Sequence, residues 1–492
     1  MAQKWPGFGG GRHASALRHI FGSATFTGGD ETVAFNLLPQ DGFDYQLWGG
    51  LARLPAWLAN PAFEQMMFEG LEDVEARFFA PHAPQRYLLE RYQAKGGSLS
   101  PGEVGDVLRG FLAFETSFPR TARVQTLVTP RLPPTLNWLG RDPQRVRRAR
   151  PFYAPFSDVA AASDAQLRAD LIAAYGDPLG PFVAEFVEVS ERNLPDHDTA
   201  LQAFGIALDR SFPGLDAAPR RIEQAFEALS GLARRNLGAP LARADLIRVA
   251  EAQLGQPLPL PAAFPLNIRS DRNEQDETAL EIDASEFSGG ATAFPDVPRW
   301  TEGLLVPLDV TARWLRRHLV SRVVLRGSYR LTTAMCLGWS LRSAIGFELK
   351  IPTREDLWET DDRPPRGQSD PRWKVVEPTR LDGDQLSVSI GVLRDPSSEL
   401  QATAGVAAEA VLALHLPLPI VSGSAAQAGV ALVKQRVDAA IARLRPVGIK
   451  LYMAGPAAFA VALGHRWNAM PQTQLFEFRS MDRRYVPTAR LA

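Results

Sequence analysis

The sequence is poor in cysteine, in lysine and in long apolar runs. Cys336 is the only cysteine among 492 residues, which excludes internal disulfides and any zinc site built from cysteines. No apolar run approaches the length of a membrane-spanning helix, and the first residues lack the apolar core of a secretory signal. We therefore expect a cytoplasmic protein with no membrane partner. Because the net charge is only -1, any nucleic acid would have to bind at a local patch.

The scarcity of lysine singles out one position. Of 54 basic residues only six are lysine, and Lys95 is the only lysine between Lys4 and Lys350. An isolated lysine in an arginine-rich chain indicates a compact ammonium that a planar guanidinium cannot replace. Lys95 follows Gln93 by two positions, so the two side chains share one face of a strand. The acidic cluster, defined here as Glu69–Glu75, lies about twenty residues earlier.

An acidic strand followed by a Q-x-K strand is typical of metal-dependent nucleases. If Asp73 lies on the neighbouring strand, its carboxylate and the Gln93 amide oxygen can meet at one Mg²⁺ or Mn²⁺ ion, which prefers oxygen ligands. Lys95 would then lie beside the attacking water. Gln46, on a preceding predicted helix, is a further catalytic candidate. The alternative is a solvated strand edge with ordinary surface residues.

A basic stretch follows this candidate site. It carries eight arginines and one acidic residue between Arg120 and Arg150. In a near-neutral chain, such a stretch predicts contacts with the phosphate backbone of a nucleic acid rather than with its bases. The alternative is pairing with the acidic helices that follow. The residues that we expect to contact DNA are Arg145, Arg147 and Arg148.

Composition divides the chain into four segments. Residues 1–155 mix helical and strand periods, which predicts an α/β unit. Residues 156–255 are rich in Ala, Leu and Arg with helical periodicity, whereas residues 256–280 are rich in proline and acid, as is typical of a linker. The α/β pattern returns in residues 281–492. We predict strands at 65–79, 86–95 and 124–128, and helices at 42–58, 164–175, 200–212, 220–237 and 242–254.

Two parts of the last segment repeat one pattern. Each is a buried strand that ends in a tight turn before a helix, at residues 322–328 and 449–456, and the helices carry the similar sequences AMCLGW and AVALGHRW. The repetition predicts an internal duplication with parallel strands. Turns of this kind collect backbone N–H groups at a helix start, where phosphates bind. The alternative is that the small residues only allow close packing.

The N-terminal residues resemble a known family. Residues 41–46 (DGFDYQ), the acidic cluster and the Gln93-Ala94-Lys95 segment look like a restriction-like PD-(D/E)XK endonuclease domain of the type fused to SAVED sensor domains. The family carries a second acid where this chain has Gln93, so the metal shell has one charge fewer. Glu75 or Glu90 are the residues that we expect to replace it.

The C-terminal residues resemble the sensor half of the same family. Residues 450–464 (KLYMAGPAAFAVALG), 468–471 (NAMP) and 475–478 (LFEF) look like the end of a SAVED domain. Residues 323–341, and Trp358 with Thr360 after it, look like its first half.

The resemblance implies a fold, an activity and partners. The fold is α/β, with an N-terminal restriction-endonuclease-like domain, its helical extension, and a C-terminal SAVED domain of two fused CARF/Rossmann-like halves. The activity is degradation of double-stranded DNA in CBASS anti-phage defence, switched on when a cyclic tri- or other oligonucleotide binds and the protein self-associates. Two alternatives remain: a sensor or scaffold with a silent N-terminal domain, and a nuclease that acts on RNA.

The resemblance also implies where the cyclic oligonucleotide binds. We expect its phosphates at the two turns, next to the arginines of the first, and one base stacked on a tryptophan. The residues predicted to form this pocket are Arg326, Gly327, Ser328, Arg330, Trp358, Ala454, Gly455 and Pro456.

Overall fold

The structure of the protein is a computed structural model that describes residues 40–70, 72–149, 158–194, 196–270, 278–289, 293–362 and 372–492. Within these residues the chain builds three β-sheets, one in the N-terminal part and two in the C-terminal part. The first 39 residues of the predicted N-terminal domain lie outside the described residues.

The first sheet has six strands in the order β5-β4-β3-β2-β1-β6. Strands β1, β2 and β3 are antiparallel neighbours, whereas β3, β4 and β5 run parallel. Its strands are β1 (Phe63–Phe68), β2 (Val74–Phe79), β3 (Tyr87–Ala94), β4 (Ala122–Thr129), β5 (Val187–Glu191) and β6 (Leu241–Ala242). The single strand predicted at 65–79 is therefore two strands, and the acidic cluster forms the turn between them.

Five of the helices in the described N-terminal part lie within a few residues of the predicted ones, and Pro101–Ser117, Asn137–Ala149 and Leu179–Phe186 are additional to these five. The helices of this part are Gln40–Ala59, Pro101–Ser117, Asn137–Ala149, Asp158–Tyr175, Leu179–Phe186, His197–Ser211, Pro219–Arg235 and Arg243–Leu254. The predicted helical extension, residues 156–255, contributes β5 and β6, which complete the first sheet. Pairing of β4 with β5 and of β1 with β6 makes this segment part of the domain.

The C-terminal part contains two sheets with parallel cores. The five-stranded sheet has the order β11-β10-β9-β7-β8, and the six-stranded sheet has the order β12-β14-β13-β15-β16-β17. The strands of the five-stranded sheet are β7 (Phe264–Arg269), β8 (Leu280–Asp283), β9 (Arg322–Gly327), β10 (Glu348–Pro352) and β11 (Leu357–Glu359). Those of the six-stranded sheet are β12 (Lys374–Val376), β13 (Gln385–Val392), β14 (Val411–Leu416), β15 (Gly448–Ala454), β16 (Gln472–Arg479) and β17 (Arg484–Leu491).

Part of the predicted linker, residues 256–280, contributes to the five-stranded sheet. Phe264–Arg269 within it is a strand that lies between β8 and β9 in the five-stranded sheet. Strand Phe264–Arg269 carries buried Leu266 and Ile268, so its apolar residues belong to the sheet core. Proline is typical of linkers, but Pro265 of this segment lies within a strand. The C-terminal part therefore begins near residue 264.

The helices of the C-terminal part cover the two sheets. They are Val297–Trp300, Val306–Arg317, Leu331–Ser340, Ser397–Ala404, Gly423–Leu444 and Ala457–Arg466. No helix in the described part of the chain is long and apolar enough to cross a membrane.

The predicted duplication has a direct structural counterpart. Helix Leu331–Ser340 follows β9 and helix Ala457–Arg466 follows β15, and the two helices pack against each other. A Cβ at Gly338 would lie 2.1 Å from the Val461 carbonyl oxygen, and one at Gly464 would lie 2.3 Å from the Met335 carbonyl oxygen. The repeated glycines therefore allow close contact between the two helices, rather than between each helix and its strand.

The N-terminal and C-terminal parts share one continuous hydrophobic core. Trp314, on helix Val306–Arg317, makes the most specific contact between them. Its ring stacks on Phe79 of β2 with centroids 4.5 Å apart, and its Nε1 donates to Glu64 Oε1 of β1 at 2.8 Å. The C-terminal part is thus packed directly on the two strands that flank the acidic cluster.

Candidate functional sites

The first candidate site lies where β2 begins and β3 ends. The tight turn of the acidic cluster is closed by the Glu69 N–H donating to the Asp73 carbonyl oxygen at 3.0 Å. Val74 is paired with Tyr92, so Asp73 lies opposite Gln93 on the neighbouring strand. The Asp73 Oδ2 atom accepts the backbone N–H of Ala94 at 2.6 Å. The structure therefore brings the Asp73 carboxylate to the Gln93-Ala94-Lys95 segment.

Lys95 follows the last residue of β3 and is half-buried. Its backbone N–H donates to the Val128 carbonyl oxygen at 2.9 Å, which anchors the residue against β4. Within the described residues its ammonium has no hydrogen bond or ion pair, but its charge lowers the pKa of both Asp73 and Glu72. The ammonium therefore lies close to both carboxylates and is available to a further anion.

Burial dominates the electrostatics of Asp73. It raises the pKa of this carboxyl from its ordinary range to about 6, although the hydrogen bond from Ala94 and the charge of Lys95 act in the opposite direction. The neighbouring carboxylates Glu72 and Glu69 raise it further. Because burial makes the ionised form of the Asp73 carboxyl unfavourable, a bound cation would stabilise that form.

The side chains at this corner offer oxygen ligands of the kind that Mg²⁺ prefers. Asp73 offers a carboxylate and Gln93 an amide oxygen, and both are hard oxygen donors. Mg²⁺ in proteins keeps several waters and is commonly held by one or two carboxylates. Among the described residues no group of three or more His, Cys, Asp or Glu side chains is placed to hold a metal. The fit is therefore to a water-rich Mg²⁺ site with few protein ligands, and not to an all-protein cage.

The two acids expected to replace the missing ligand are both engaged elsewhere. Glu75 lies opposite Arg91, and their side chains are 3.6 Å apart. Glu90 accepts the Trp57 Nε1–H at 2.7 Å. Because it is an odd number of residues from Gln93, Glu90 points to the opposite face of β3.

Arg91 of β3 links the acidic cluster to the neighbouring strand and helix. Its guanidinium contacts Glu72 at 2.8 Å and Gln125 Oε1 at 2.8 Å, and it lies 3.5 Å from the centre of the Phe114 ring. These contacts offset the burial of an arginine that is only 2% exposed. Arg91 thus holds the turn of the acidic cluster against β3 and β4.

Gln46 lies on helix Gln40–Ala59, near the end of β3. A Cβ at Gly96 would lie 3.7 Å from the Tyr45 Cβ atom, which places this helical turn beside the residue after Lys95. The Gln46 side chain is buried, and its Oε1 accepts no hydrogen bond from the described residues. The sequence candidate is therefore near the site, but no contact joins it to Asp73.

The predicted DNA contacts lie on helix Asn137–Ala149. Arg145 is exposed, and its guanidinium is 3.6 Å from the Asp142 carboxylate. The side chains of Arg147 and Arg148 lie outside the described residues. An exposed ion pair of this kind contributes little to stability, so Arg145 remains available to phosphate.

The second candidate site is a cavity of about 480 Å³ between the two C-terminal sheets. Residues next to both repeated turns line it: Arg330 and Leu331 after β9, and Ala454, Gly455 and Ala457 after β15. The carboxyl ends of parallel strands are where ligands bind in folds of this type. Of the predicted pocket residues, Arg330, Ala454 and Gly455 line the cavity, and Pro456 begins the helix next to it.

The remaining predicted pocket residues lie outside the cavity lining. Arg326 donates to the Thr278 hydroxyl at 2.9 Å, and the Ser328 hydroxyl contacts that of Ser270 at 3.0 Å. Gly327 has a φ of 88°, and a Cβ there would lie 2.2 Å from the Ile268 carbonyl oxygen, so the position requires glycine for close packing. The structure gives these residues packing contacts with β7 and its neighbours.

Trp358 is only 4% exposed and packs against the start of helix Gly423–Leu444 at Gly423. Its ring is part of the core and does not line the cavity. The structure therefore provides no stacking surface for a base at this residue.

The cavity also contains residues that the sequence analysis missed. Arg394 follows β13 and Arg479 ends β16, and the Arg394 guanidinium lies 4.5 Å from the centre of the Phe478 ring. Their position at the carboxyl ends of strands was a usable signal, because ligands bind at that edge of a parallel sheet. Aromatic side chains of the lining are Phe294, Tyr329, Phe478 and Tyr485.

One acidic residue lies among these arginines. Glu477 of β16 is buried, and its Oε1 accepts the backbone N–H of Thr332 in the first turn of helix Leu331–Ser340 at 2.7 Å. The Thr332 hydroxyl in turn contacts the Thr488 hydroxyl of β17 at 2.9 Å. The helix of the first half is thus held by two strands of the second half.

Comparison with known proteins matches the C-terminal part to a family. Residues 308–491 match SAVED, described as the SMODS-associated and fused to various effectors sensor domain. Two relatives, both named CD-NTase-associated protein 4, come from Acinetobacter sp. and Moraxella osloensis. Each is 23% identical, over 92% of this chain and 96% of its own length. The chain therefore contains a SAVED domain and is homologous to these proteins over most of its length.

Solved structures show the same fold. The Acinetobacter baumannii Cap4 SAVED/CARF-domain containing receptor with the cyclic trinucleotide 3′3′3′-cAAA is 21% identical, with a TM-score of 0.72, and the match covers 92% of this chain and 99% of that one. The Moraxella osloensis Cap4 receptor is 20% identical, with a TM-score of 0.68, over 92% of this chain and 100% of that one. At these identities the likeness establishes the fold alone.

Proposed function

We propose that this protein is a metal-dependent, double-stranded DNA endonuclease that a cyclic oligonucleotide activates in CBASS anti-phage defence in the cytoplasm. The contact between the Asp73 carboxylate and the Ala94 N–H carries the proposal. It places an acid, an amide oxygen and the isolated lysine at one strand end. Homology to Cap4 proteins and the SAVED domain support the defence role.

The residues at the strand end have distinct tasks in this proposal. Asp73 and Gln93 would hold the ion through oxygen atoms. When bound, Mg²⁺ would supply the Lewis acid that polarises the phosphoryl group. Lys95 would orient the attacking water and stabilise the charge that develops on the phosphate. Arg145, Arg147 and Arg148 would hold the DNA backbone without reading its sequence.

The cavity of the SAVED domain would bind the activator. Three arginines line it, and phosphodiesters are anions that arginine binds well. A structural neighbour of the same fold contains a cyclic trinucleotide, so we propose a cyclic trinucleotide for this chain as well. Binding would favour self-association, in which one surface of a protomer meets a different surface of the next. Switching from about 1:99 to 99:1 requires roughly 5.5 kcal/mol of preference for the assembled state.

One observation favours a second function. Glu75 and Glu90 are engaged by Arg91 and Trp57, which leaves few metal ligands beside Asp73. A sensor or scaffold with a silent N-terminal domain would tolerate this arrangement. The unpaired Lys95 ammonium within the described residues argues for catalysis instead.

The test is a cleavage assay with purified protein. Supercoiled plasmid, linear DNA and RNA would each be incubated with Mg²⁺, with and without 3′3′3′-cAAA and other cyclic oligonucleotides. We expect DNA cleavage only with both the ion and one activator, and none after chelation. Lys95→Ala should abolish cleavage, whereas Lys434→Ala, a lysine paired with Asp438 on a distant surface helix, should not.

The outcomes separate the alternatives. Cleavage of RNA alone would support the RNA nuclease. Activator binding without cleavage of any substrate would support the silent scaffold. Light scattering in the same samples should show larger species only with activator, and full cleavage by the ligand-free monomer would contradict the switch.

A further inference from the structure

The two repeated turns differ in whether an acidic side chain lies at the start of the helix that follows. Helix Leu331–Ser340 presents its first-turn Thr332 N–H to the Glu477 carboxylate. Helix Ala457–Arg466 begins at Pro456, which supplies no side-chain cap. The backbone hydrogen bonds at this helix start run from the Phe459 and Ala460 N–H groups to the Pro456 carbonyl oxygen, at 3.1 and 3.4 Å. One of two otherwise similar anion positions is therefore already taken by an acid of the protein itself.

Among the described residues that line the cavity, Glu477 is the only acidic one, and it lies beside Arg330, Arg394 and Arg479. It comes from β16 of the second half, yet it reaches the helix of the first half. A carboxylate on the N–H groups of a helix start occupies the place that a phosphate oxygen would take. Burial raises its pKa, and the hydrogen bond from Thr332 and the Arg330 charge act against that rise.

The opposite side of the cavity remains suited to phosphate. Arg394 and Arg479 follow the carboxyl ends of β13 and β16, and the uncapped start of helix Ala457–Arg466 lies beside them. Both arginines have acidic partners: Arg394 pairs with Glu399 on helix Ser397–Ala404, and Arg479 pairs with Asp482 in the turn after β16. Because both ion pairs are partly exposed, a phosphate can compete for these arginines.

We propose that Glu477 decides where the phosphates of the activator lie: its carboxylate excludes phosphate from the first-half helix and directs it to Arg394, Arg479 and the start of helix Ala457–Arg466. The inference rests on the proposed function, because it concerns the same cavity and the same class of ligand. In this proposal Glu477 lowers the affinity of helix Leu331–Ser340 for phosphate, and the activator is thereby held in one orientation. Glu477 thus acts on specificity through repulsion.

The test is direct titration of 3′3′3′-cAAA at pH 8 by calorimetry, without DNA. Glu477→Gln keeps an oxygen that accepts the Thr332 N–H but removes the charge. Because like charges within one cavity repel even at an effective dielectric of about 20, we expect Glu477→Gln to lower Kd on the order of tenfold. Glu359→Gln is the control, since it removes the same charge from β11 outside the cavity lining. It should leave Kd unchanged.

A second measurement uses the unmodified protein. Burial raises the pKa of Glu477, whereas phosphodiesters are ionised throughout, so Kd should rise with pH as Glu477 loses its proton, and this dependence should vanish in Glu477→Gln. The groups that face Glu477 are Arg330 before the helix, Cys336 on it and Tyr485 on β17. Burial also raises the pKa of the Cys336 thiol and of the Tyr485 hydroxyl, so both keep their protons when Glu477 ionises.

The outcomes distinguish this inference from the function on which it rests. Unchanged or weaker binding by a folded Glu477→Gln, or a flat pH profile of the parent, would overturn the role of Glu477 while leaving the receptor function intact. If the parent binds no cyclic oligonucleotide of the panel, the proposed function fails, and this inference fails with it.

Discussion

The close contact between the two repeated helices makes a quantitative prediction for Gly338→Ala. The added methyl would lie 2.1 Å from the Val461 carbonyl oxygen and 2.8 Å from the His465 backbone nitrogen. Both neighbours are backbone atoms of helix Ala457–Arg466 and cannot rotate away. The helices would have to separate by about an ångström, and overpacking of a dense core costs typically 1–3 kcal/mol or more.

Helix propensity acts against this cost. Alanine is more favourable than glycine in a helix interior by about 1 kcal/mol. We therefore expect Gly338→Ala to lower the free energy of unfolding by about 2 kcal/mol net, and Gly464→Ala to behave similarly because its methyl would lie 2.3 Å from the Met335 carbonyl oxygen. Gly49→Ala is the matched control, since Gly49 is a buried helical glycine with nothing within 4 Å of the added methyl. It should stabilise by up to about 1 kcal/mol.

Denaturant unfolding followed by tryptophan fluorescence measures all three variants. Trp467 directly follows helix Ala457–Arg466 and is buried, so its emission reports on this contact. Binding of 3′3′3′-cAAA provides a second readout, because the separated helices carry residues on both sides of the cavity. If Gly338→Ala unfolds at the same denaturant concentration as Gly49→Ala, the close helix contact described here is wrong.

Three further predictions concern the nuclease site. Lys95→Arg should cut DNA at under a hundredth of the parent rate, on the order of an electrostatic transition-state contact, while binding the activator normally; near-parent cleavage would refute the need for an ammonium. Asp73→Asn should raise Tm without metal at pH 8, because burial raises the Asp73 pKa to about 6 and the folded protein therefore loses free energy of unfolding as pH rises through that value. The same change should remove any Mg²⁺-dependent shift in Tm. A lower Tm for Asp73→Asn would contradict the cost of burying this carboxylate. Neutralising Arg145, Arg147 and Arg148 together should weaken DNA binding alike for all sequences and reduce its salt dependence, so an unchanged salt slope would place the DNA elsewhere.

The candidate nuclease site was predicted in part from local sequence patterns. The spacing of Gln93 and Lys95 placed both at the end of one strand, and the acidic cluster supplied Asp73. However, the sequence predicted one strand at 65–79, where the chain forms a hairpin. The hairpin turn brings Asp73 to Ala94, because antiparallel pairing aligns Val74 with Tyr92. Whether Glu75 and Glu90 were free to bind metal depended on Arg91 and Trp57, which periodicity does not report.

The cavity shows the limit more clearly. Its two turns were identified from repeated sequence, and Arg330, Ala454 and Gly455 line it. Trp358 was expected to stack on a base, but a tryptophan carries the same sequence signal whether it is buried or exposed. Glu477 belongs to the LFEF segment that carries the resemblance, but the sequence did not indicate its contact with Thr332.

The sequence by itself determined the local elements, the duplication and the identity of the isolated lysine, because hydrophobic period and glycine placement act over a few residues. Only the tertiary structure decided which segments complete each sheet. In the structure β5 and β6 belong to the first sheet and Phe264–Arg269 belongs to the five-stranded sheet, through strand pairings that no local pattern specifies. The tertiary structure also joined Glu477 to Thr332 across 145 residues of chain. Such contacts depend on where whole sheets and helices pack, so the charge of the cavity was decided by folding and not by neighbours in sequence.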